Sequence, residues 1–440
     1  TELVPGDRLR VMARCSYVTT NPLQLVNGVT GSTYIQMFDM FGGGGILLDF
    51  PPTANNGMVI FYTDSISEPE RSTRIAIKDG GIQTDGNVAV GNTCGFTGAG
   101  FNRVAIGSNT ANTSQFSDAI AIGTEAGALS QSANAISIGY SAGMTRQESS
   151  AVAIGSFAAQ SYQQTNSVAI GTSAGQTSQQ TNSVAMGYLA GRIEQQAYSI
   201  AVGYAAGLNG QQGQSVAIGD RAGQTSQENQ SVAIGNKAGQ TEQQGQSVAM
   251  GYEAGQTNQA TKSVAVGYLA GQTTQGDSSV AIGNCAGQTT QSSQSVAIGD
   301  WAGYDDQGRW ATAIGEGAGK TSQQDTATAL GTWAGQSNQQ AAATAVGAEA
   351  GQSNQQTRAV AVGSSAGYNT QGQWAVAAGY LAGEDNQNER AVAIGALAGR
   401  TSQQLSAVAI GSEAGLTDQR ASAVAIGFQA GQTSQQSQSV

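Results

Sequence analysis

The 440-residue chain contains no histidine, and this absence removes most common catalytic chemistry. Without histidine there is neither the commonest general base nor the commonest zinc ligand. Its three cysteines, Cys15, Cys94 and Cys285, are far apart and odd in number, which favours buried free thiols over a disulfide framework or a metal site. The composition therefore predicts a protein that is not an enzyme and that holds no cofactor or metal.

Charged residues and long apolar runs are also scarce. Charged residues make up 11% of the chain, whereas globular domains usually carry about 25%. The formal charge of −11, with only 18 Lys and Arg, disfavours binding to nucleic acid or to an anionic membrane. No apolar run reaches the roughly 18 residues of a membrane-spanning helix. We therefore predict neither nucleic-acid binding nor membrane insertion within this segment.

Glycine is abundant, at 62 residues, and it follows a period of sixteen residues. A glycine that ends a "VAIG"-like segment marks each unit, and 22 such marker glycines run from Gly91 to Gly427, always sixteen apart. The dipeptide "AG" follows most of them, as at Ala174 and Gly175. A glutamine stands eight residues after the marker in 21 of the 22 units, while the first unit has Ala99 there. Members of this glutamine column include Gln179, Gln227, Gln291 and Gln355.

Each unit predicts one short coil of a parallel β-solenoid. In "SVAIG", residues 167–171, the side chains alternate with period two, which is typical of a strand. A turn, a polar strand around "QTSQQ" and a second turn complete the coil, and identical coils stack strand on strand. Two glycines per unit disfavour a helix. Stacking 22 coils at about 4.8 Å each predicts a rod about 105 Å long.

The columns of one coil predict distinct roles. We expect Val168 and Ile170 to form the coil core and Ala169 to lie on a stripe of small residues that contacts another copy of the chain. Gly171 and Gly175 are expected in turns. Gln179 is expected to be buried and to hydrogen-bond the glutamines of the coils before and after it, as in a ladder of stacked amides. The alternative for this column is a solvated surface glutamine.

The "SVAIG" strand followed by an "AG" turn resembles the YadA-like head repeats of trimeric autotransporter adhesins. The resemblance covers residues 87–440, although the family repeat is nearer fourteen residues. It implies a left-handed β-roll and a homotrimer. Arrays of sixteen residues with the pattern "AIGxxAGQTxQ" are also similar to those in tail-fibre and surface-fibre proteins of large viruses and phages. The chain stops within a further unit at Ser439 and Val440, so we expect the array to be truncated at its C-terminal end.

Residues 1–86 break the period and predict a small N-terminal β-rich domain. The segments "RLRVMARCSYV", "STYIQMFDMF", "GILLDF" and "GMVIFYTD" are β-type runs bounded by Gly, Pro and Asn. The glycines at 42–45 are interpreted as a flexible turn, since no lysine of a phosphate-binding loop follows. This domain is expected to cap the rod, and it is either an anchor, a receptor-binding tip or a cap and trimerisation knob alone.

The remaining motifs offer few candidate sites. "GEGAGKTS" at 315–322 resembles a nucleotide-binding loop, but Ile314 occupies the position of its first glycine. The two positions after each marker glycine are the most variable, and aromatic residues there are candidates for surface recognition of a sugar or a protein. The alternative is packing over neighbouring turns. The candidates are Tyr188, Tyr252, Trp301 and Trp333.

These observations predict a non-enzymatic fibre. The leading hypothesis is a trimeric rod on the surface of a virus particle, extracellular, which mediates host attachment and has a host-cell glycan or surface protein as partner. The alternative is the head of a bacterial trimeric autotransporter adhesin on a cell surface.

Overall fold

The computed structural model describes residues 23–27, 31–37, 46–49, 87–91, 94 and 101–440. The chain divides into two compact units, Thr1–Gln83 and Thr84–Val440. The first contains three described strands, β1 (Leu23–Asn27), β2 (Gly31–Met37) and β3 (Ile46–Asp49), joined as an antiparallel sheet in chain order.

In this first unit, β3 falls within one predicted β-type segment, and β2 overlaps another but begins one residue earlier, at Gly31. Leu23 pairs with Ile35, and Met37 pairs with Ile46. The predicted segments at 8–18 and 57–64, the glycine turn at 42–45 and Cys15 lie outside the described residues.

The second unit is an all-β parallel solenoid of sixteen-residue coils, as predicted. Each coil contributes one strand to the first sheet, in which every strand pairs in parallel with the strand sixteen residues away; Val168, for example, pairs with Val152 and Val184. The strands of the first sheet are Asn87–Val90, Arg103–Ile106, Ile120–Ile122, Ile136–Ile138, Val152–Ile154, Val168–Ile170, Val184–Met186, Ile200–Val202, Val216–Ile218, Val232–Ile234, Val248–Met250, Val264–Val266, Val280–Ile282, Val296–Ile298, Thr312–Ile314, Thr328–Leu330, Thr344–Val346, Val360–Val362, Val376–Ala378, Val392–Ile394, Val408–Ile410 and Val424–Ile426.

The second side of each coil carries the glutamine. Its strands form parallel sheets of three, seven and three strands, and isolated parallel bridges such as Thr177 to Ile193 connect these sheets. The strands are Thr145–Gln147, Ser161–Gln163, Thr177–Gln179, Thr225–Gln227, Thr241–Gln243, Thr257–Gln259, Thr274–Gln275, Thr290–Gln291, Asp305–Gln307, Thr321–Gln323, Ser353–Gln355, Asn369–Gln371 and Asp385–Gln387. Within the described part of the chain, no helix is long and apolar enough to cross a membrane.

The core of each coil corrects one sequence prediction. Ala169, predicted as a contact to another chain, is fully buried inside the coil, together with Ala174 and Ser167. Val168 and Ile170, predicted as the coil core, are only partly buried and point outward from the first sheet. The alternation correctly separated two faces, but the assignment of inside and outside was wrong.

The narrow interior explains this inversion. A Cβ added to Gly175 would lie 2.8 Å from Gln179 Oε1 and 3.2 Å from the Cβ of Ala169. Because the two sides of a sixteen-residue coil approach this closely, the interior accepts methyl and hydroxymethyl groups plus one glutamine side chain. Branched aliphatic side chains are therefore placed on the outer face.

Candidate functional site

The glutamine column forms an unbroken hydrogen-bonded ladder inside the solenoid, as predicted. Gln179 is fully buried. Its Nε2 donates to Gln195 Oε1 at 3.1 Å, and its Oε1 accepts from Gln163 Nε2 at 3.0 Å. The same contact joins each successive pair from Gln115 to Gln435, and Gln227, Gln291 and Gln355 take part in it.

A second hydrogen bond fixes the orientation of every amide. The Nε2 of Gln179 also donates to the main-chain oxygen of Val168 at 2.9 Å, and the Nε2 of Gln227 donates to that of Val216 at 2.8 Å. Since a carbonyl oxygen accepts but cannot donate, the atom facing it must be the amide nitrogen. Both donor hydrogens are thus used from Gln115 to Gln419, and all amides point in one direction along the solenoid.

The N-terminal end of the ladder meets a buried arginine. Arg103 occupies the column where later coils have serine or alanine, and its side chain is buried. Its Nη1 donates to the main-chain oxygen of Gln115 at 2.8 Å, and burial lowers the pKa of the guanidinium. Because each amide donates toward the C-terminus, the acceptor end of the ladder is Gln115 Oε1, which is buried without a hydrogen-bond partner. Arg103 bonds the main-chain oxygen of the same residue and so places a positive charge near that negative end of the aligned dipoles.

Gly171 and Gly175 occupy turns, as predicted, and both have positive φ. At the marker glycine a side chain is also excluded by the next coil, because a Cβ on Gly171 would lie 2.6 Å from the carbonyl oxygen of Gly187. The fixed period of the marker glycines therefore reflects contact between the backbones of adjacent coils.

The outer face of the first sheet is a largely apolar surface, and we call it the aliphatic face. It consists of the residue of each coil that aligns with Val168 and the one that aligns with Ile170. Most are Val, Ile, Leu or Met, while Thr312, Thr328 and Thr344 stand at the Val168 position. Several members expose about two fifths of their surface in the single chain, among them Met186 (41%), Ile218 (38%) and Ile394 (41%). Sequence reasoning found these columns but placed them inside the coil.

The position after each marker glycine lies beside the aliphatic face, and we call this column the turn edge. Tyr188 and Tyr252 both lie on it and are exposed. Tyr188 stacks on Tyr204, with ring centroids 5.5 Å apart and 23° between the ring planes. Tyr252 stacks on Tyr268 at 5.2 Å and 13°.

The two tryptophans occupy the position after the turn edge and differ in environment. Trp301 is partly buried, since Tyr304 packs against it at 4.8 Å and Lys320 Nζ lies 4.5 Å from its ring centroid. Trp333 is exposed and lies over Gly317, where an added Cβ would be 3.3 Å from the indole. Neither tryptophan is part of a tyrosine stack on the turn edge.

An ion pair organises one of these stacks. Glu253 accepts from Lys237 Nζ at 2.7 Å and from Gln272 Nε2 at 2.9 Å. Burial opposes ionisation of Glu253, but hydrogen bonds from Lys237, Tyr252 and Gln272 outweigh it and lower the pKa of its carboxyl. Interaction with the same carboxylate raises the pKa of the Tyr252 hydroxyl.

No group of three or more His, Cys, Asp or Glu in the described segments is arranged to hold a metal ion. Comparison with protein-family models, with curated proteins and with solved structures found no match.

Proposed function

We propose that this chain is a structural fibre protein that assembles with copies of itself through the aliphatic face. The observation that carries the proposal is the exposure of this face in the single chain, over a sheet of 22 strands. Monomeric proteins rarely expose a contiguous apolar patch above roughly 300–600 Å². A flat, repetitive apolar face matches an identical face on another copy, and closed rotational symmetry is the usual arrangement.

In this proposal three chains pack their aliphatic faces around a common axis, in the left-handed trimeric arrangement that the resemblance to YadA-like heads implies. The glutamine side and the turn edge of each chain then remain on the outside. The assembly is a rod that projects from a virus particle and attaches it to a host surface, and it catalyses no reaction. The regular coil supports this role, because each unit extends the rod by one strand spacing without changing its cross-section.

Light scattering on the purified chain tests the assembly. We expect a particle with three times the chain mass of 44.4 kDa. Replacing Ile218 and Ile282 on the aliphatic face by Asp is expected to release monomers, because two charges per chain would be buried. The control is Thr172→Asp on the turn edge, where Asp220 stands naturally. A folded wild-type monomer at micromolar concentration would contradict the proposal.

Antibodies against the chain test the location. We expect gold-labelled antibody to decorate projections on virus particles and to reduce their adsorption to host cells. Labelling of a bacterial surface instead would contradict the viral location and support the bacterial adhesin head. It would leave the proposal of a trimeric rod unchanged.

A further inference from the structure

The turn edge has an ordered pattern between residues 188 and 300. Its eight consecutive coils carry, in order, two tyrosines, an Asp and an Asn, two tyrosines, then an Asn and an Asp. The two tyrosine pairs are the stacks Tyr188–Tyr204 and Tyr252–Tyr268, with nearly parallel exposed rings. The stacks begin four coils apart, which corresponds to about 19 Å at a strand spacing of about 4.8 Å.

The polar coils between and after the stacks form amide–carboxylate pairs. Asn236 Nδ2 donates to Asp220 Oδ2 at 3.3 Å, and Asn284 Nδ2 donates to Asp300 Oδ1 at 2.7 Å. Each pair spans two adjacent coils, as each aromatic stack does. Asp220, Asn284 and Asp300 are exposed, so their remaining acceptor and donor groups face solvent.

The rings are held in place by their neighbours. Glu253, the neighbour of Tyr252 in the chain, accepts hydrogen bonds from Lys237 and Gln272. The guanidinium of Arg221 lies 5.7 Å from the ring centroid of Tyr204. A rigid exposed aromatic surface binds a partner with a small loss of side-chain entropy.

The fold itself does not require tyrosine on the turn edge. The same column carries Ser156, Thr172 and Ala348 in other coils. Marker glycines and first-sheet strands are preserved in those coils. The alternation of aromatic stacks with amide–carboxylate pairs therefore calls for an explanation other than coil geometry.

We propose that the turn edge from Tyr188 to Asp300 binds an extended, neutral glycan chain. The apolar C–H faces of sugar rings pack on the two aromatic stacks, and sugar hydroxyls donate to the carboxylates and accept from the amides between them. The net charge of −11 and the edge's own carboxylates repel sulfated or sialylated chains. This inference deepens the proposed function, on which it rests for its setting, by naming the class of host surface molecule.

An array of immobilised oligosaccharides probes the full-length assembled chain. The array contains neutral hexose and N-acetylhexosamine oligomers of two to ten units, with sulfated and sialylated oligomers for comparison. We expect binding to neutral oligomers long enough to reach both stacks. We expect binding to weaken at least about tenfold when all four tyrosines are replaced by Ser, because contacts along one glycan chain reinforce each other. We expect the same loss in a second variant, in which Ala replaces Asp220, Asn236, Asn284 and Asp300.

Tyr162→Ser with Tyr198→Ser is the matched control, because both tyrosines are exposed but lie in other columns of the coil. We expect this variant to bind within about twofold of the wild type. The inference is overturned by a wild-type rod that binds no neutral oligomer, by equal binding of the four-tyrosine variant, or by binding restricted to anionic oligomers. Light scattering on the same samples distinguishes failure of the glycan-binding inference from failure of the proposed self-assembly. A monomer that still binds glycan through the tyrosines would contradict only the self-assembly.

Discussion

From Gln131 to Gln419, each coil encloses one glutamine amide whose two donor hydrogens and acceptor oxygen all form hydrogen bonds. Gln243, for example, donates to the Val232 carbonyl at 2.9 Å and to Gln259 Oε1 at 3.0 Å, and it accepts from Gln227 at 3.1 Å. A leucine side chain has a similar volume but cannot form these hydrogen bonds, and a glutamate would place a charge inside the coil. This requirement explains why the column stays constant while its neighbours vary.

Two adjacent glutamines allow a sharp test of the ladder. Gln243→Leu removes three buried hydrogen bonds, and we expect a loss of about 3 kcal/mol in unfolding free energy. Gln244→Leu changes an exposed neighbour and is expected to stay within about 0.5 kcal/mol of wild type. Urea unfolding followed by circular dichroism measures both. Equal effects of the two variants would contradict the buried ladder.

Gln243→Glu adds a pH dependence with a definite sign. Loss of hydration raises the pKa of a buried carboxyl, and only its protonated form can donate to Val232. Since the folded pKa then exceeds the unfolded value of about 4.3, the stability deficit relative to wild type is small below that pH. It grows as the pH rises, until the folded pKa is passed. Unfolding of variant and wild type at pH 4 and pH 7 measures this, and a deficit independent of pH would exclude a buried carboxyl.

Two glycines separate the cost of backbone conformation from the cost of contact. Gly171→Ala combines positive φ with a Cβ 2.6 Å from the next coil, whereas Gly210→Ala has positive φ and open space around the new Cβ. We expect about 1 kcal/mol for the residue 210 variant and several times that for the residue 171 variant. Thermal unfolding compares them, and similar melting temperatures would refute the close approach of coils.

At the scale of the element, periodicity predicted much of the coil. The first-sheet strand, the turns at Gly171 and Gly175 and the buried Gln179 all followed from fixed columns. Which face of the strand points into the coil could not be predicted from the sequence. Alternation defines two faces, and the usual preference for buried Val and Ile does not hold in an interior this narrow. The capping position of Arg103 was missed, although an arginine in a Ser/Ala column is a visible departure from the repeat. The tyrosine pairing was not predicted either, because the repeat places tyrosines on adjacent coils but does not fix the orientation of their rings.

The buried Arg103 is predicted to stabilise the first coils. Replacing it by Met keeps an apolar stem but removes the charge and the hydrogen bond to Gln115. We expect faster amide hydrogen exchange in residues 103–123 and unchanged exchange near residues 296–314, because solenoid coils contact only their neighbours. Mass spectrometry resolves both regions, and unchanged exchange in the first region would show that the arginine does not cap the ladder.

At the scale of the whole molecule, the inversion of the strand's faces relocates the surface available for assembly. The small residues of the stripe are buried inside each coil, so they cannot contact another chain. The aliphatic face remains outside, and it extends over all 22 first-sheet strands. An association between copies was inferred from sequence, but the residues that mediate it in our proposal are the branched aliphatic ones.

Cross-linking of two adjacent single cysteines tests this central claim most directly. In a background with Cys15, Cys94 and Cys285 replaced by Ser, Ile218→Cys places a thiol on the aliphatic face and Ala217→Cys places one inside the coil. With a short bifunctional maleimide, which joins two thiols, we predict covalent dimers for the residue 218 variant and monomers for the residue 217 variant. Cross-linking through residue 217 but not through residue 218 would contradict the account.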